Sequence, residues 1–500
     1  MSVRLLEQLD LIADAPNGIQ KLRGLILELA VRGKLVPQDP NDEPASDLLK
    51  RIAVAKARME AEGQIKKSKA VPPVAQSEKP FEIPNGWEWS RLAAVSLINP
   101  RNAVDDSTFA SFVPMAMIGT RFDGAHSQEH RKWAEIKQGF THFAESDIGV
   151  AKITPCFENS KACVFENLQN EIGAGTTELH IVRPIDQTLV PRYVLAYLKA
   201  PMFLLVGETR MTGTAGQKRL PKEFLEHNPF PLPPLAEQHR IVAKVDELMA
   251  LCDQMEAEQA DAESAHITLV HTLLATLTQS PDAAELAASW QRLAEHFDTL
   301  FTTEFSLDAL KQTVLQLAVM GKLVSQDPND EPAAKLLGEI RTRRAISLKS
   351  GNPNPCEASV QSKKQEKQRC PLDLDELPRG WSWATLIQCA EIVVDCHNKT
   401  APYTSKGIPL LRTTNIRNGS MNLKEPKFVS AETYERWSSR CKPRPGDILI
   451  TREAPMGEVC IIPEGMTVCM GQRIMLIRLV DNTIVPRFLL YSLLEPGLME

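Results

Sequence analysis

Five hundred residues exceed what a single hydrophobic core supports, so the chain reads as several domains. Apolar residues at 43% and charged residues at 24% exclude a collagen, a chain disordered throughout and a membrane bundle, and no run approaches the length of an uncharged membrane span. The net charge of -6 does not exclude a polyanionic partner: from Leu235 to Leu310 there are 14 acidic and 3 basic residues, which leaves the rest of the chain net basic.

The N-terminus carries Arg4, Glu7 and Asp10 where a signal peptide needs an apolar run, so a cytoplasmic location is expected. The ten cysteines, none in a CxxC pair, are expected to be reduced thiols. Apolar residues at Leu22, Leu25, Ile26, Leu29 and Ala30 have the spacing of an amphipathic helix, which Gly33 and a QDPNDEP turn terminate. A polar stretch, 61–83, contains KKSK (Lys66 to Lys69) and is read as a linker. After GWEW, short β-branched runs alternate with Gly, Pro and Asn turns, which predicts a β-rich α/β domain over 84–230 with a helix from Pro191 to Leu198. Trp87 and Trp89 alternate as core anchors at the start of that domain.

The box PLPPLAEQHRIV then launches a long helix. Ile241, Val245, Leu248, Cys252 and Met255 step by 4, 3, 4 and 3, the spacing of a coiled-coil seam. Ile267, Val270, Leu274 and Leu277 continue the seam after a polar interval. Such a rod is read as a spacer.

The layout then repeats. Residues 310–337 match 22–49 at 19 of 28 positions, GWSW at 380–383 matches GWEW, and VPRFLLYSL at 485 matches VPRYVLAYL at 190. Between these anchors the two copies are largely unlike. Copies with matching ends and divergent middles suggest common partners for the ends and different ligands for the middles. The fold class is therefore mixed α/β: two β-rich α/β domains joined by long coiled-coil helices in an internal tandem repeat. The expected bounds are a helical region at 1–60, the linker 61–83, the first β-rich domain at 84–230 and a central helical region at 231–345. A second polar linker, 346–377, holding KKQEKQR (Lys363 to Arg369), and the second β-rich domain at 378–500 complete the set. The second copy has no counterpart of the glycine-rich loop, the proline box and the rod. That implies a fragment, a truncated product or a rod supplied by another chain.

GKLVPQDPNDEP, GWEW, the PLPPLAEQHRIV box with its heptad helix and the two-unit layout resemble the DNA specificity subunits of type I restriction-modification enzymes, over essentially the whole chain. The resemblance implies two target recognition domains, each reading one half of a bipartite duplex site. It also implies an antiparallel helical spacer that docks methyltransferase subunits, two of them, with restriction subunits joining that core. S-adenosylmethionine, ATP and magnesium would then belong to those partners, and no cofactor, metal or membrane to this chain. Lacking the last helix departs from that pattern. A coiled-coil scaffold that binds only proteins is the competing reading.

Direct readout needs cations for phosphate and amides or hydroxyls for base edges. The loop from Arg210 to Lys222 offers Arg210, Thr212, Thr214, Gln217, Lys218 and Arg219, with Gly213 and Gly216 for close approach. A solvated surface loop would look similar. Lys152, Asn159 and Lys161 are further candidates in the first domain; Arg412, Thr413, Thr414, Asn415, Arg417 and Arg452 are candidates in the second, where turn and strand-end roles are equally open. The two lysine-rich runs are read as solvated or as weak phosphate contacts.

Catalytic signals are missing. No GxxxxGK[ST] loop occurs, Gly173 and Gly175 precede a strand, and Asn228, Pro229 and Phe230 lack the second proline of a base-flipping motif. His126 and His130 have helical metal spacing but no supporting HExxH pattern. A non-catalytic chain is expected.

Overall fold

The computed structural model describes residues 15, 17–65, 70–185, 188–214, 216–371, 374, 376–495 and 497, so the KKSK run lies outside the described residues. The chain divides into two compact units, Met1–Ala262 and Glu263–Glu500.

In the first unit, helices α1 (Gly18–Val31) and α2 (Ala45–Ala61) precede the β-rich module. Gly33 ends α1 with φ +65, a conformation that glycine adopts without cost. A Cβ there would also lie 2.4 Å from Pro84 Cγ and 3.0 Å from Trp87 Cζ2. Gly321 stands in the same way against Pro378 and Trp381, which explains why both copies keep glycine ahead of the tryptophan motif.

The module opens with β1 (Glu88–Arg91). One sheet follows the order β2-β9-β6-β7, built from Ser96–Ile98, Leu179–Pro184, Ile148–Ala151 and Ala162–Val164, all antiparallel. The other follows β4-β3-β8-β5, from Glu129–Lys132, Phe109–Val113, Ile172–Gly175 and Thr141–Ala144, with β3 and β8 parallel. Helices α3 (Pro191–Lys199), α4 (Pro201–Arg210) and α5 (Lys222–His227) lead to β10 (Pro229–Leu232), which returns to pair with β1.

Helix α6 spans Leu235–Gln279, 45 residues, and is the long helix expected after the proline box. All five residues of the first seam, Ile241 to Met255, are buried in the core that also holds Leu22 and Ile26 of α1. The seam is therefore covered within the first unit by shorter elements, and Arg23 of α1 ties to Asp253 and Glu256 at 2.6 and 2.7 Å. Residues 256–265 are all exposed. Val270, Leu274 and Leu277 are then buried in the second unit with Leu293, Leu300 and Leu317, while Ile267 is only half-buried.

The second unit continues with α7 (Ala283–Glu295), α8 (Glu304–Val319) and α9 (Ala333–Lys349). The reading of 346–377 as a linker too polar to pack needs correction. Pro355–Glu366 forms helix α10, capped by Asn354 Oδ1 accepting from the Glu357 amide. Its buried Gln361 donates to Val393 O at 2.7 Å and accepts from Val393 N at 3.2 Å. The helix docks through amide hydrogen bonds to a strand edge rather than through an apolar stripe, which is why composition hid it.

The second module repeats the first. Its sheet β11-β19-β16-β17 runs through Ala390–Asp395, Ile474–Leu479, Ile448–Thr451 and Val459–Ile461, again all antiparallel. A smaller sheet β15-β12-β18, from Lys427–Val429, Ile408–Leu411 and Cys469–Met470, again has a parallel pair, β12 with β18. A two-residue ladder, β13 (Ile416–Arg417) with β14 (Ser420–Met421), and helix α11 (Ala431–Trp437) fill the middle, and α12 (Pro486–Leu494) matches α3.

Each module holds a buried ion pair that sequence reasoning missed. Asp147 takes the Arg183 fork at 2.7 and 2.8 Å and an amide hydrogen bond from Ala144. Asp447 takes the Arg478 fork at 2.7 and 2.8 Å and an amide hydrogen bond from Arg444. Both aspartates stand just before the third strand of the order, β6 or β16, and both arginines lie on the strand beside it, β9 or β19.

The ten cysteines are free, and burial pushes the Cys163, Cys460 and Cys469 thiols up to about 12. The Lys199 ammonium is buried, donates to Thr120 O at 3.0 Å and Ser160 O at 2.8 Å, and is lowered by desolvation to about 8. Leu494 holds its place in the second module. Between pH 8 and 10.5 the unfolded chain keeps a proton that the folded chain has released, so this residue makes folding more favourable as pH rises through that window. Urea unfolding should show wild type gaining up to about 3 kcal/mol over Lys199→Met across the window. Parallel curves for the two proteins would refute this.

Candidate nucleic-acid interface

In the first module the glycine-rich loop is a hairpin. Thr212 and Arg219 exchange backbone hydrogen bonds at 3.0 and 2.8 Å, and Gln217 N closes a turn onto Thr214 O at 3.0 Å. The turn needs glycine at 213, where φ is +128 and a Cβ would stand 2.9 Å from Gln217 O. The hairpin docks on the loop after β6: Leu220 N donates to Lys152 O at 2.7 Å and Thr154 N to Lys218 O at 3.0 Å. Lys152 N in turn donates to Glu178 O, at the start of β9. Below it lies His180, whose Nε2 contacts Leu220 O at 2.9 Å and whose protonation is disfavoured by burial.

This loop presents Arg210, Thr212, Thr214, Gln217 and Lys218 to solvent, and Arg210 and Lys218 have no acidic partner among the described residues. Arg219 departs from expectation. Its guanidinium forks onto Glu178 at 2.8 and 2.9 Å, and that hydrogen bond holds the Glu178 carboxyl below its ordinary range. Arg219 is thus a brace for the hairpin with much of its charge neutralised. Glu178 was not singled out from sequence, because a partner 41 residues away leaves no local signal. Asn159 is exposed on the neighbouring loop and Lys152 is half-buried. Lys161 is corrected from a candidate to a structural residue: half-buried, it donates to Met115 O at 3.0 Å.

The second module places its own loops at the corresponding end of the sheet. Arg452 follows β16 as Lys152 follows β6, and Arg452 N donates to Arg473 O at 2.7 Å just as Lys152 N does to Glu178 O. Arg452 pairs with Asp395 at the end of β11, and Arg473 Nε pairs with Glu453 at 3.0 Å. Gln472 donates to Asn398 O at 3.3 Å, which joins a third loop to the cluster. Arg473 went unnoticed in the sequence, where only its place opposite Glu178 in the repeat marks it. The run 412–417 is mostly a turn. Asn415 is buried, accepts from Arg412 N at 2.9 Å and donates to Asn422 O at 2.9 Å, so its amide serves the fold and not a base edge. Thr413 and Arg412 are half-buried, while Thr414 and Arg417 are exposed; Arg417 Nη1 donates to Thr413 O at 2.7 Å.

Other motifs resolve into structure. Gly173 lies inside β8, where a Cβ would stand 2.2 Å from the Phe143 ring, so it makes room for packing and forms no phosphate loop. Asn228 donates to Tyr197 Oη at 2.5 Å, and Phe230 is buried in β10. Trp87 is buried and donates to Glu237 Oε2 at 2.8 Å, and Trp89 packs on Phe81. His130 is in strand β4 and His126 faces Phe165, so the pair has no helical spacing; no metal-holding cluster occurs among the described residues. Nor, among the described residues, is any helix long and apolar enough to cross a membrane.

Residues 84–263 match the family described as the type I restriction modification DNA specificity domain. The chain is 50% identical over 444 residues to the Type I restriction enzyme EcoAI specificity subunit of Escherichia coli, covering 88% of this chain and 74% of that protein. It is 47% identical over 488 residues to the EcoEI specificity subunit of Escherichia coli, covering 94% and 80%. A solved HsdS subunit from Thermoanaerobacter tengcongensis is 20% identical, with a TM-score of 0.40 over 85% of this chain and 83% of that one.

Proposed function

Since the chain belongs to the specificity subunits of type I restriction enzymes, we propose that each β-module grips one half of an interrupted duplex site through the loop cluster after β6 in the first module and β16 in the second. One observation carries this reading. The modules share strand order and the buried Asp–Arg pair, yet Lys152 and Glu178 in one occupy the positions of Arg452 and Arg473 in the other. Constant scaffolds with different side chains at one place are what two unlike half-sites require.

On this reading the chain performs no chemistry. It assembles with methyltransferase subunits, two of them, and with restriction subunits, and S-adenosylmethionine, ATP and magnesium are bound by those partners. Exposed Arg210 and Lys218 position the first module on phosphate, and Gln217, Thr212 and Thr214 face base edges. In the second module Thr414 and Arg417 have those duties, joined by Arg452 and Arg473 where phosphate replaces their carboxylate partners Asp395 and Glu453.

The test is to assemble the chain with its methyltransferase partner, map the adenines methylated in random-sequence DNA, and measure duplex affinity against salt. A split site with two defined halves is expected. Arg210→Ala and Lys218→Ala should each weaken binding without changing the sequence preference, and each should lower the salt slope by about 1. Equal affinity for every duplex would support the scaffold reading instead.

A further inference from the structure

The lysine-rich run Lys363 to Arg369 has no part in the reading above, yet the second unit gives it a fixed place. Lys363 and Lys364 lie in the last turn of α10 and Lys367 at its end, all three exposed. A solvated run has no preferred position, whereas this helix is tied at two points. Gln361 bonds both backbone groups of Val393 on β11. Asn354 caps the helix through Oδ1 and donates from Nδ2 to Ser439 O and Arg440 O at 2.9 and 3.0 Å.

Between α10, the end of β11 and the 439–440 loop lies a depression of about 450 Å³. Lys364 and Arg440 line it, both exposed and neither with an acidic partner among the described residues. Val360, 44% exposed, stands one turn before Lys364 and adds an apolar patch. Asp395 is also in the lining and is the partner of Arg452, so the depression is continuous with the loop cluster after β16. The other carboxylate of the lining, Glu357, is buried and accepts from Gln361 at 2.7 Å. Lys364, Arg440 and Arg452 outnumber these two carboxylates, so the wall stays net positive even where phosphate draws Arg452 from Asp395.

We propose that α10 and the 439–440 loop form a clamp for the sugar-phosphate backbone of duplex DNA at the second half-site. Lys364 and Arg440 take phosphate oxygens from two sides, and Val360 meets the adjoining sugar. Lys367, one turn beyond Lys364, extends the charge along the helix, which suits a run of phosphates better than a single small anion. The inference rests on the functional reading above and adds a contact that one module alone makes. In the first unit, among the described residues of 62–87, only the turn Gln76–Glu78 is helical.

The test assembles the full chain with its methyltransferase partner on a duplex carrying the mapped site. Ethylation interference then shows which phosphates the complex needs. Lys364→Ala combined with Arg440→Ala should abolish interference at one or more phosphates of the second half and leave those of the first half as they were. The double variant should bind about tenfold more weakly, lower the salt slope by about 1 to 2, and keep the methylated sequence unchanged. Lys364→Arg should retain the wild-type pattern. Both side chains are exposed, so thermal melts of the double variant should match wild type. A wild-type interference pattern in the double variant, beside weakened binding by Arg210→Ala, would overturn this inference alone. Loss of phosphates in both halves, or a mononucleotide held in the depression that the duplex does not displace, would also overturn it. A wild-type complex that binds every duplex alike would overturn it together with the functional reading.

Discussion

Replacing Arg478 with methionine should destabilise the second module by about 3 to 5 kcal/mol, because it strands a carboxylate that is 1% exposed. Asp447 would keep only the Arg444 amide and a guanidinium contact at 3.9 Å. Arg478 also donates to Lys442 O at 2.7 Å, so a second buried acceptor loses its donor. Amide hydrogen exchange on strands 448–451 and 474–479 reads the loss locally and does not require the whole chain to unfold in one step. Asp447→Leu combined with Arg478→Met should recover most of the stability, since the penalty belongs to the unpaired charge and not to the missing bridge. Arg183→Met should cost less, because the Arg183 side chain is 24% exposed against 9% for Arg478 and water replaces part of its interaction. Equal exchange rates in the single and double variants would remove the argument.

What the sequence makes legible follows from the range of the forces involved. The ends of the repeat, from the QDPNDEP turns to the VPR helices, are readable because glycine, proline and tryptophan fix local backbone, and Gly33 with Trp87 recurs as Gly321 with Trp381. The seam of α6 is readable because helical periodicity is local, although its cover turned out to be short helices and a sheet. The likeness of the two middles is not readable. Asp147 and Arg183 are 36 residues apart, Asp447 and Arg478 only 31, so loop lengths between constant strands scramble the register. The candidate site divides in the same way. A loop rich in Gly, Thr, Lys and Arg advertises exposure, and Arg210, Thr214, Gln217 and Lys218 are exposed as read. Which cations are already spent depends on distant partners, and Arg219 with Glu178, Lys161 with Met115 and Asn415 with Asn422 could be assigned only in three dimensions.

Exchange of residues 84–230 for another module of the same architecture should change one half of the methylated site and leave the other half and the gap between them intact. The junction makes this physically reasonable. Strand β1 enters the module and β10 leaves it as neighbours in one antiparallel ladder, with Glu88 opposite Leu232 and Arg91 opposite Pro229. Both chain ends therefore meet at one place, where Tyr193 and Tyr197 also fasten β10 through Pro231 O and Pro229 O at 2.8 Å each. A replacement that keeps this ladder and Glu237 beneath Trp87 inherits the anchoring while changing only the loops it carries. The magnitude is large because each wrong base pair costs about 1 to 3 kcal/mol, so a half-site of a few pairs shifts preference by several orders of magnitude. Methylation mapping of the chimera with the same partner subunits is the measurement. A chimera whose second half-site also changed would mean that the modules do not read independently, and a chimera with the parental site would place recognition outside 84–230.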